Sequence, residues 1–311
     1  MIYTVTLNPA LDRTIWIEDF GFDDTQRIIR EERYPGGKGI DVSRMILALG
    51  GDSVALGFIG GYTGMEIEGR LLNEGIPHDF IRIGGETRTN IIIHSEEDER
   101  EFKINASGPK IDPLELGLLV DKVKSLKPSP TIGVISGSVP PGLSPNIYSQ
   151  LTLTFENLGA RVILDADGES LRRGLAATPY MIKPNVYELS RLVGREFSGV
   201  VDMVSSAREL LDGELEVVVV SAGEDGVYVV TKGGGFHCYP PRIEAVNSVG
   251  SGDSAVAGIA FGLDRGMNLE EAIMLGVASG TATAMEDGTA KGTRKDVDQL
   301  LPHVKIEELP T

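Results

Sequence analysis

Cysteine is nearly absent: Cys238 is the only one in 311 residues. That excludes a disulfide framework and a thiolate metal cluster, and it predicts a cytoplasmic protein. The four histidines, His78, His94, His237 and His303, are scattered without metal-ligand spacing, so none is assigned a role. Positive charge is in deficit. The formal net charge is −17, which argues against nucleic acid or an anionic membrane as the main partner. Any anion site must therefore carry its own local positive field, which gives weight to lysines and arginines set beside glycines. No apolar run reaches membrane-spanning length. Residues 1–7 read as a strand and lack the basic region of a signal peptide. Internal repeats and low-complexity linkers are missing too.

Strand patterns alternating with helix patterns are present over most of the length, which predicts one α/β layered domain spanning 1–311. Residues 132–136, 161–165 and 217–221 are short, continuous apolar runs, as suits strands buried on both faces of a parallel sheet. Helical patterns fall near 145–158, 185–193 and 202–212. Two segments break the rhythm. In 11–34 and 86–106 apolar and polar residues alternate, with Thr14-Ile15-Trp16-Ile17, Arg27-Ile28-Ile29-Arg30 and Asn90-Ile91-Ile92-Ile93 as the clearest runs. That is the period of half-exposed antiparallel strands. The two segments are expected to form one small sheet, a lid, whose apolar face needs a cover.

The chain is organised around residues 246–254, Val-Asn-Ser-Val-Gly-Ser-Gly-Asp-Ser. A β-branched run, 242–246, precedes it and a small-residue helical pattern follows. Free N–H groups at a helix start attract an anion, and Gly250 and Gly252 let the backbone approach it closely. Asp253 would repel a resting phosphate. It makes sense facing a substrate hydroxyl, with the N–H groups facing the charge that forms on a transferring phosphoryl group. The plainer reading is that Asp253 only caps the helix. A dinucleotide fingerprint through Gly250, Gly252 and Ala255 is rejected, because Glu270 and Glu271 begin another helix instead of closing a strand.

Further glycine-rich or proline-marked stretches follow strand patterns. Residues 34–44 contain Gly36-Gly37-Lys38-Gly39 at a second helix start; the spacing is not that of a P-loop. Residues 136–142, 183–188 and 221–226 follow buried strands, where ligands of open parallel sheets sit. Asn185 and Glu188, three apart on one helical face, suit either a water-rich Mg²⁺ or a capping box.

Taken in order, these motifs resemble the ribokinase-like (phosphofructokinase B) carbohydrate kinases, in the branch with 1-phosphofructokinase and tagatose-6-phosphate kinase. The resemblance runs from residues 4–12 to the final helices, and its signatures look like Gly36-Gly37-Lys38-Gly39 and Gly250-Ser251-Gly252-Asp253. It implies a doubly wound, mostly parallel sheet with a β lid. It implies that Asp253 is the base and that Gly250, Ser251 and Gly252 help form the anion hole. Asp12, Gly37, Lys38, Gly39, Asp41 and Asn90 would contact the sugar, and Arg88, Ser138 and Arg27 its phosphate. Lys183, Asn185, Glu188, Ser221, Gly223, Gly226, Ser248 and Ser279 would surround ATP, with Asn185 and Glu188 serving Mg²⁺.

Two positions depart from the branch: Asp41 stands where Asn is usual, and Ser248 where Thr is usual. Residues 85–91 and 105–109 look most like 1-phosphofructokinase. The expected activity is therefore ATP-dependent phosphorylation of a hexose phosphate, foremost fructose 1-phosphate. Tagatose 6-phosphate, fructose 6-phosphate and an unphosphorylated sugar or nucleoside are the alternatives within the class. A non-catalytic sugar-phosphate sensor is the alternative outside it. Covering the lid's apolar face predicts a homodimer formed through the lid.

Overall fold

The computed structural model describes residues 1–21, 25–97, 100–211, 213, 215–286 and 292–309. Within the expected lid segments, 22–24 and 98–99 lie outside the described residues. The first half contains β1 (Ile2–Thr6), β2 (Ala10–Ile17), β3 (Arg30–Gly36), α1 (Lys38–Ala48), β4 (Ser53–Ile59), α2 (Gly61–Asn73), β5 (Ile81–Arg82), β6 (Arg88–Ser95), β7 (Arg100–Ile104) and α3 (Pro113–Lys124). Then come β8 (Ile132–Ser136), α4 (Ile147–Glu156), β9 (Arg161–Asp165), α5 (Gly168–Gly174), β10 (Met181–Ile182), α6 (Val186–Val193) and α7 (Val200–Glu209). The last part holds β11 (Val217–Ser221), β12 (Val227–Thr231), β13 (Gly234–Tyr239), α8 (Ser251–Asp264), α9 (Leu269–Ala284), α10 (Arg294–Leu300) and β14 (Lys305–Glu308).

Ten strands form one sheet in the order β14-β13-β12-β11-β10-β9-β8-β1-β4-β5. From β11 to β5 all neighbours pair in parallel, and β12, β13 and β14 add an antiparallel edge. The apolar runs at β8, β9 and β11 are buried because helices cover both faces. Val42, Met45, Val256, Ile273 and Val297 from α1, α8, α9 and α10 pack on one face. Leu119, Leu151, Leu171, Leu189 and Met203 from α3 to α7 pack on the other. Connections leave β1 toward β4 on one side and reach β8 on the other, so the order reverses at β1 and β8. Ligands of open α/β sheets bind at the carboxyl ends of strands at such a reversal.

A separate four-stranded sheet, β3-β2-β6-β7, packs on α1, β4 and α2 through Leu11 of β2. Its strands come from the two alternating segments, as predicted, but two expectations need correction. The central pair, β2 with β6, is parallel and not antiparallel. Alternation reports that a strand is half-buried, not which way its neighbour runs, and the long excursion through α1, β4, α2 and β5 allows a parallel return. Residues 27–29 are not strand. Trp16 pairs with Arg30, so Ile28 would face position 18, past the end of β2; Ile28 and Ile29 are exposed instead. Residues 242–246 are also irregular, because β14 occupies the sheet edge beside β13 and the backbone N–H of Val246 turns to Ala284 O at the end of α9. Among the described residues no helix is long and apolar enough to cross a membrane.

Candidate active site

Helix α8 begins at Ser251 with Gly250 as its N-cap, held at φ 75° with no side chain capping the turn. Asp253 is the third residue of the helix and is not its cap. Among the described residues the buried Ser251 hydroxyl has no hydrogen-bond partner, and the same is true of Thr6 Oγ1, Asn8 Oδ1 and Ser136 Oγ. These four lie at the α8 start or at the carboxyl ends of β1 and β8. Buried polar atoms without partners are costly, and so many at one end of the sheet suit a polar ligand.

Two lysines reach this end from opposite sides. Lys38 opens α1 and places Nζ 3.2 Å from Asp165 Oδ1; Lys183 follows β10 and places Nζ 3.6 Å from Asp165 Oδ2. The Asp165 side chain has no exposed surface. Burial works against its ionisation, but Lys183 and Lys38 hold its carboxyl below the usual range. Burial likewise penalises the Lys38 ammonium, yet Asp165, Asp253 and Glu188 raise its pKa above the ordinary value. Lys38 thus shares a field with the α8 start. Lys183 borders the same turn: a Cβ added to Gly252 would sit 3.5 Å from Lys183 Nζ. The sequence motifs pointed to both lysines. Asp165 carried no motif, only the end of an apolar run.

On the small sheet, Asp12 in β2 pairs with Asn90 in β6, and Asn90 Nδ2 donates to Asp12 Oδ1 at 2.8 Å. A Cβ at Gly36 would overlap the Asp12 carboxylate, so the glycine clears space for it. Burial pushes the Asp12 carboxyl up to about 6. The Asn90 hydrogen bond opposes this, Asp41 adds to it, and Arg88 and Arg44 oppose it. Asp41, in the first turn of α1, lies 3.6 Å from Arg44, which also grips Glu74 through two hydrogen bonds.

Arg88 donates to Ala106 O at 2.8 Å and twice to Asn8 O at 2.9 and 3.2 Å. Asn8 in turn donates from Nδ2 to Ser138 Oγ at 3.2 Å. Arg88 and Ser138, expected together at a phosphate, are therefore joined through Asn8, whose place the sequence left unassigned. Three of the five guanidinium N–H groups are engaged, which leaves one on each terminal nitrogen. Arg27 is exposed, and no hydrogen bond or ion pair among the described residues links it to this cluster.

On the other side, Asn185 and Glu188 form a complete capping box at α6: Glu188 N donates to Asn185 Oδ1 at 2.8 Å and Asn185 N to Glu188 Oε2 at 2.9 Å. The plainer of the two readings is thus realised, and one Glu188 oxygen remains outside it. Among the described residues no three His, Cys, Asp or Glu side chains form a metal cluster. The donor set fits a cation held mainly by phosphates and water, not a closed protein cage. Ser221 N donates to Pro184 O at 3.0 Å, stitching this loop to the 221–226 turn. Gly223 and Gly226 have φ 62° and 83°, backbone that favours glycine. His237 stacks on Tyr228, meets the tilted ring of Tyr239 and donates from Nε2 to Asp225 O, so it braces the same turn.

Ser248 is exposed on the approach to α8, and its carbonyl accepts from Ser251 N at 3.3 Å. Ser279 is a correction. It is fully buried, its hydroxyl donates to Leu275 O at 2.7 Å, and a Cβ on Gly258 would press on it. Its side chain fills the α8–α9 seam and reaches no cleft.

Comparisons with known proteins agree with this arrangement. The 1-phosphofructokinases of Borreliella burgdorferi and Bacillus subtilis are 36% and 37% identical to this chain, over 100% and 99% of it and 100% of each relative. The crystal structure of phosphofructokinase-2 from Escherichia coli in complex with potassium superposes with a TM-score of 0.92 at 32% identity, covering 97% of this chain and 98% of that one. The profile of the pfkB family carbohydrate kinases matches residues 6–296. With a ribokinase-like sheet, a second small sheet and this match over nearly its whole length, the chain belongs to the pfkB family of carbohydrate kinases.

Proposed function

We propose that this kinase transfers the γ-phosphoryl group of ATP to a hydroxyl of a hexose phosphate, foremost fructose 1-phosphate, giving fructose 1,6-bisphosphate and ADP. The observation that carries the phosphorylated acceptor is the Arg88–Asn8–Ser138 linkage, which sets a guanidinium beside the Asp12 carboxylate. Asp12 and Asn90 would take sugar hydroxyls, with Asp41 and the 37–39 turn beside them. The two unengaged N–H groups of Arg88 suit a phosphate.

Asp253 would remove the proton from the attacking hydroxyl. The sugar oxygen bonds to the γ-phosphorus, the bond to the β-phosphate oxygen breaks, and ADP leaves. Charge forming on the transferred group would be met by the N–H groups of 250–253 and by Lys38 and Lys183. The 221–226 turn and Ser248 would flank the nucleotide. Mg²⁺ would neutralise phosphate charge when bound, with Glu188 reaching it through water. We place the reaction in the cytoplasm, in keeping with the single, buried cysteine.

A coupled ADP assay over fructose 1-phosphate, tagatose 6-phosphate, fructose 6-phosphate and free fructose tests the reading. Fructose 1-phosphate should show the highest kcat/KM. Arg88→Ala should raise its KM at least about tenfold, the loss of a charge-assisted contact, with KM for ATP little changed. Asp253→Asn should lower kcat about a hundredfold or more. Equal turnover of free fructose, indifferent to Arg88→Ala, would overturn the phosphorylated-acceptor assignment.

A further inference from the structure

One carboxylate stands behind both lysines. Asp165 ends β9, its side chain has no exposed surface, and its two oxygens face different ammonium groups, Lys38 at 3.2 Å and Lys183 at 3.6 Å. The lysines arrive from distant parts of the fold, one from the start of α1 and one from the end of β10. Side by side they repel each other, and burying the Lys183 ammonium alone is unfavourable. A shared buried carboxylate resolves both problems and leaves the trio with one net positive charge. Its geometry also fixes where the lysines point: Lys183 toward Gly252, Lys38 into the field of Asp253 and Glu188. The backbone of Asp165 is itself held, since Gly137 N donates to its carbonyl at 3.1 Å and Ser136 registers against it across β8 and β9.

We propose that Asp165 is a positioning residue for phosphoryl transfer: its carboxylate aims Lys38 and Lys183 together at the group in transit. This rests on the reading of the site as a phosphotransferase centre. Asp165 is too deeply buried to touch either substrate and acts only through the lysines. The two contacts differ in tightness. The one to Lys183 is longer than a hydrogen bond, so an arriving phosphate can draw that lysine forward while Lys38 stays anchored.

The test is Asp165→Asn, which keeps the shape and removes the charge. We expect kcat to fall about a hundredfold, the scale of mis-aimed groups, while ATP binding measured by calorimetry is unchanged or tighter, because the site has gained a positive charge. A residue that merely supports the fold would weaken binding and turnover together. In a background of Lys38→Met and Lys183→Met, Asp165→Asn should lower kcat no further; an independent, multiplying loss overturns the proposal. So does recovery of kcat at raised Mg²⁺, which would make Asp165 a metal ligand. Should Asp165→Asn fail to fold, Lys38→Met and Lys183→Met serve alone: anchored on one carboxylate, their combined loss in kcat must fall short of the product of the single losses. A wild-type enzyme that turns over no sugar of the panel sinks the functional reading itself, whereas an active wild type with an equally active Asp165→Asn sinks only the role of Asp165.

Discussion

At the scale of the residue, function and stability oppose each other at Asp12. Its carboxyl is raised to about 6 chiefly by burial. An acid whose folded pKa lies above its unfolded value contributes stability when protonated, and that contribution is lost as pH rises through 6. Asp12→Asn should therefore raise the unfolding free energy at pH 8 by on the order of 2 kcal/mol, allowing for partial exposure, and hardly change it at pH 4. The same variant should lose most of its sugar affinity. Thermal melts at the two pH values check the first part; a variant no more stable at pH 8 than the wild type contradicts it. The residues that meet at the site were unevenly legible. Lys38, Lys183 and Asp253 sit beside glycines or a proline at element ends, where local chemistry is conspicuous. Asp165 and Asn8 acquire their places only from register: β8 lies between β1 and β9, a pairing that no local spacing encodes. Ser279 misled because a hydroxyl inside a helix can be satisfied by its own backbone four residues back.

At the scale of the element, the α8–α9 seam sets the anion cradle. A Cβ on Gly276 would lie 2.7 Å from Ala255 O, one on Gly258 would lie 2.7 Å from Gly276 Cα, and one on Gly280 would lie 2.9 Å from Ser251 O. The helices approach closely because these positions lack side chains. Gly280→Ala should push on the first turn of α8, lowering kcat about tenfold or more and leaving both KM values within about twofold. Its melting temperature should fall by a few degrees, the scale of modest overpacking. Unaltered kcat would mean that the turn absorbs the methyl group. Capping boxes at α3, α6, α9 and α10 are local patterns; for Asn185 and Glu188 the spacing allowed either a capping box or a magnesium pair. The parallel pairing of β2 with β6 was not, since strand direction depends on a crossover far away in sequence.

At the scale of the whole molecule, the small sheet is unequal on its two faces. Asp12 and Asn90 share one face. Strand alternation and pairing put Ile15, Ile91, Ile93, Phe102 and Ile104 on the other, where Phe102 is 56% and Ile104 45% exposed. A patch of this kind beside open strand edges favours a cover, and a homodimer through this face would supply one. Sedimentation at micromolar concentration should show a dimer, and Ile93→Glu should dissociate it; a fully active monomer at all concentrations would refute the lid contact. The presence of two sheets was legible because their periods differ. Their mutual placement gives one further consequence. Asp12, Asn90 and Arg88 ride on the small sheet, whereas Asp253, Lys183 and Asp165 belong to the large one. The two sets are already joined through Arg88, Asn8 and Ser138, and a bound sugar would bridge them further. ATP held alone would face a chamber without its acceptor side, so we expect hydrolysis of the nucleotide in the absence of sugar to run far below the rate of sugar phosphorylation; comparable rates would contradict this.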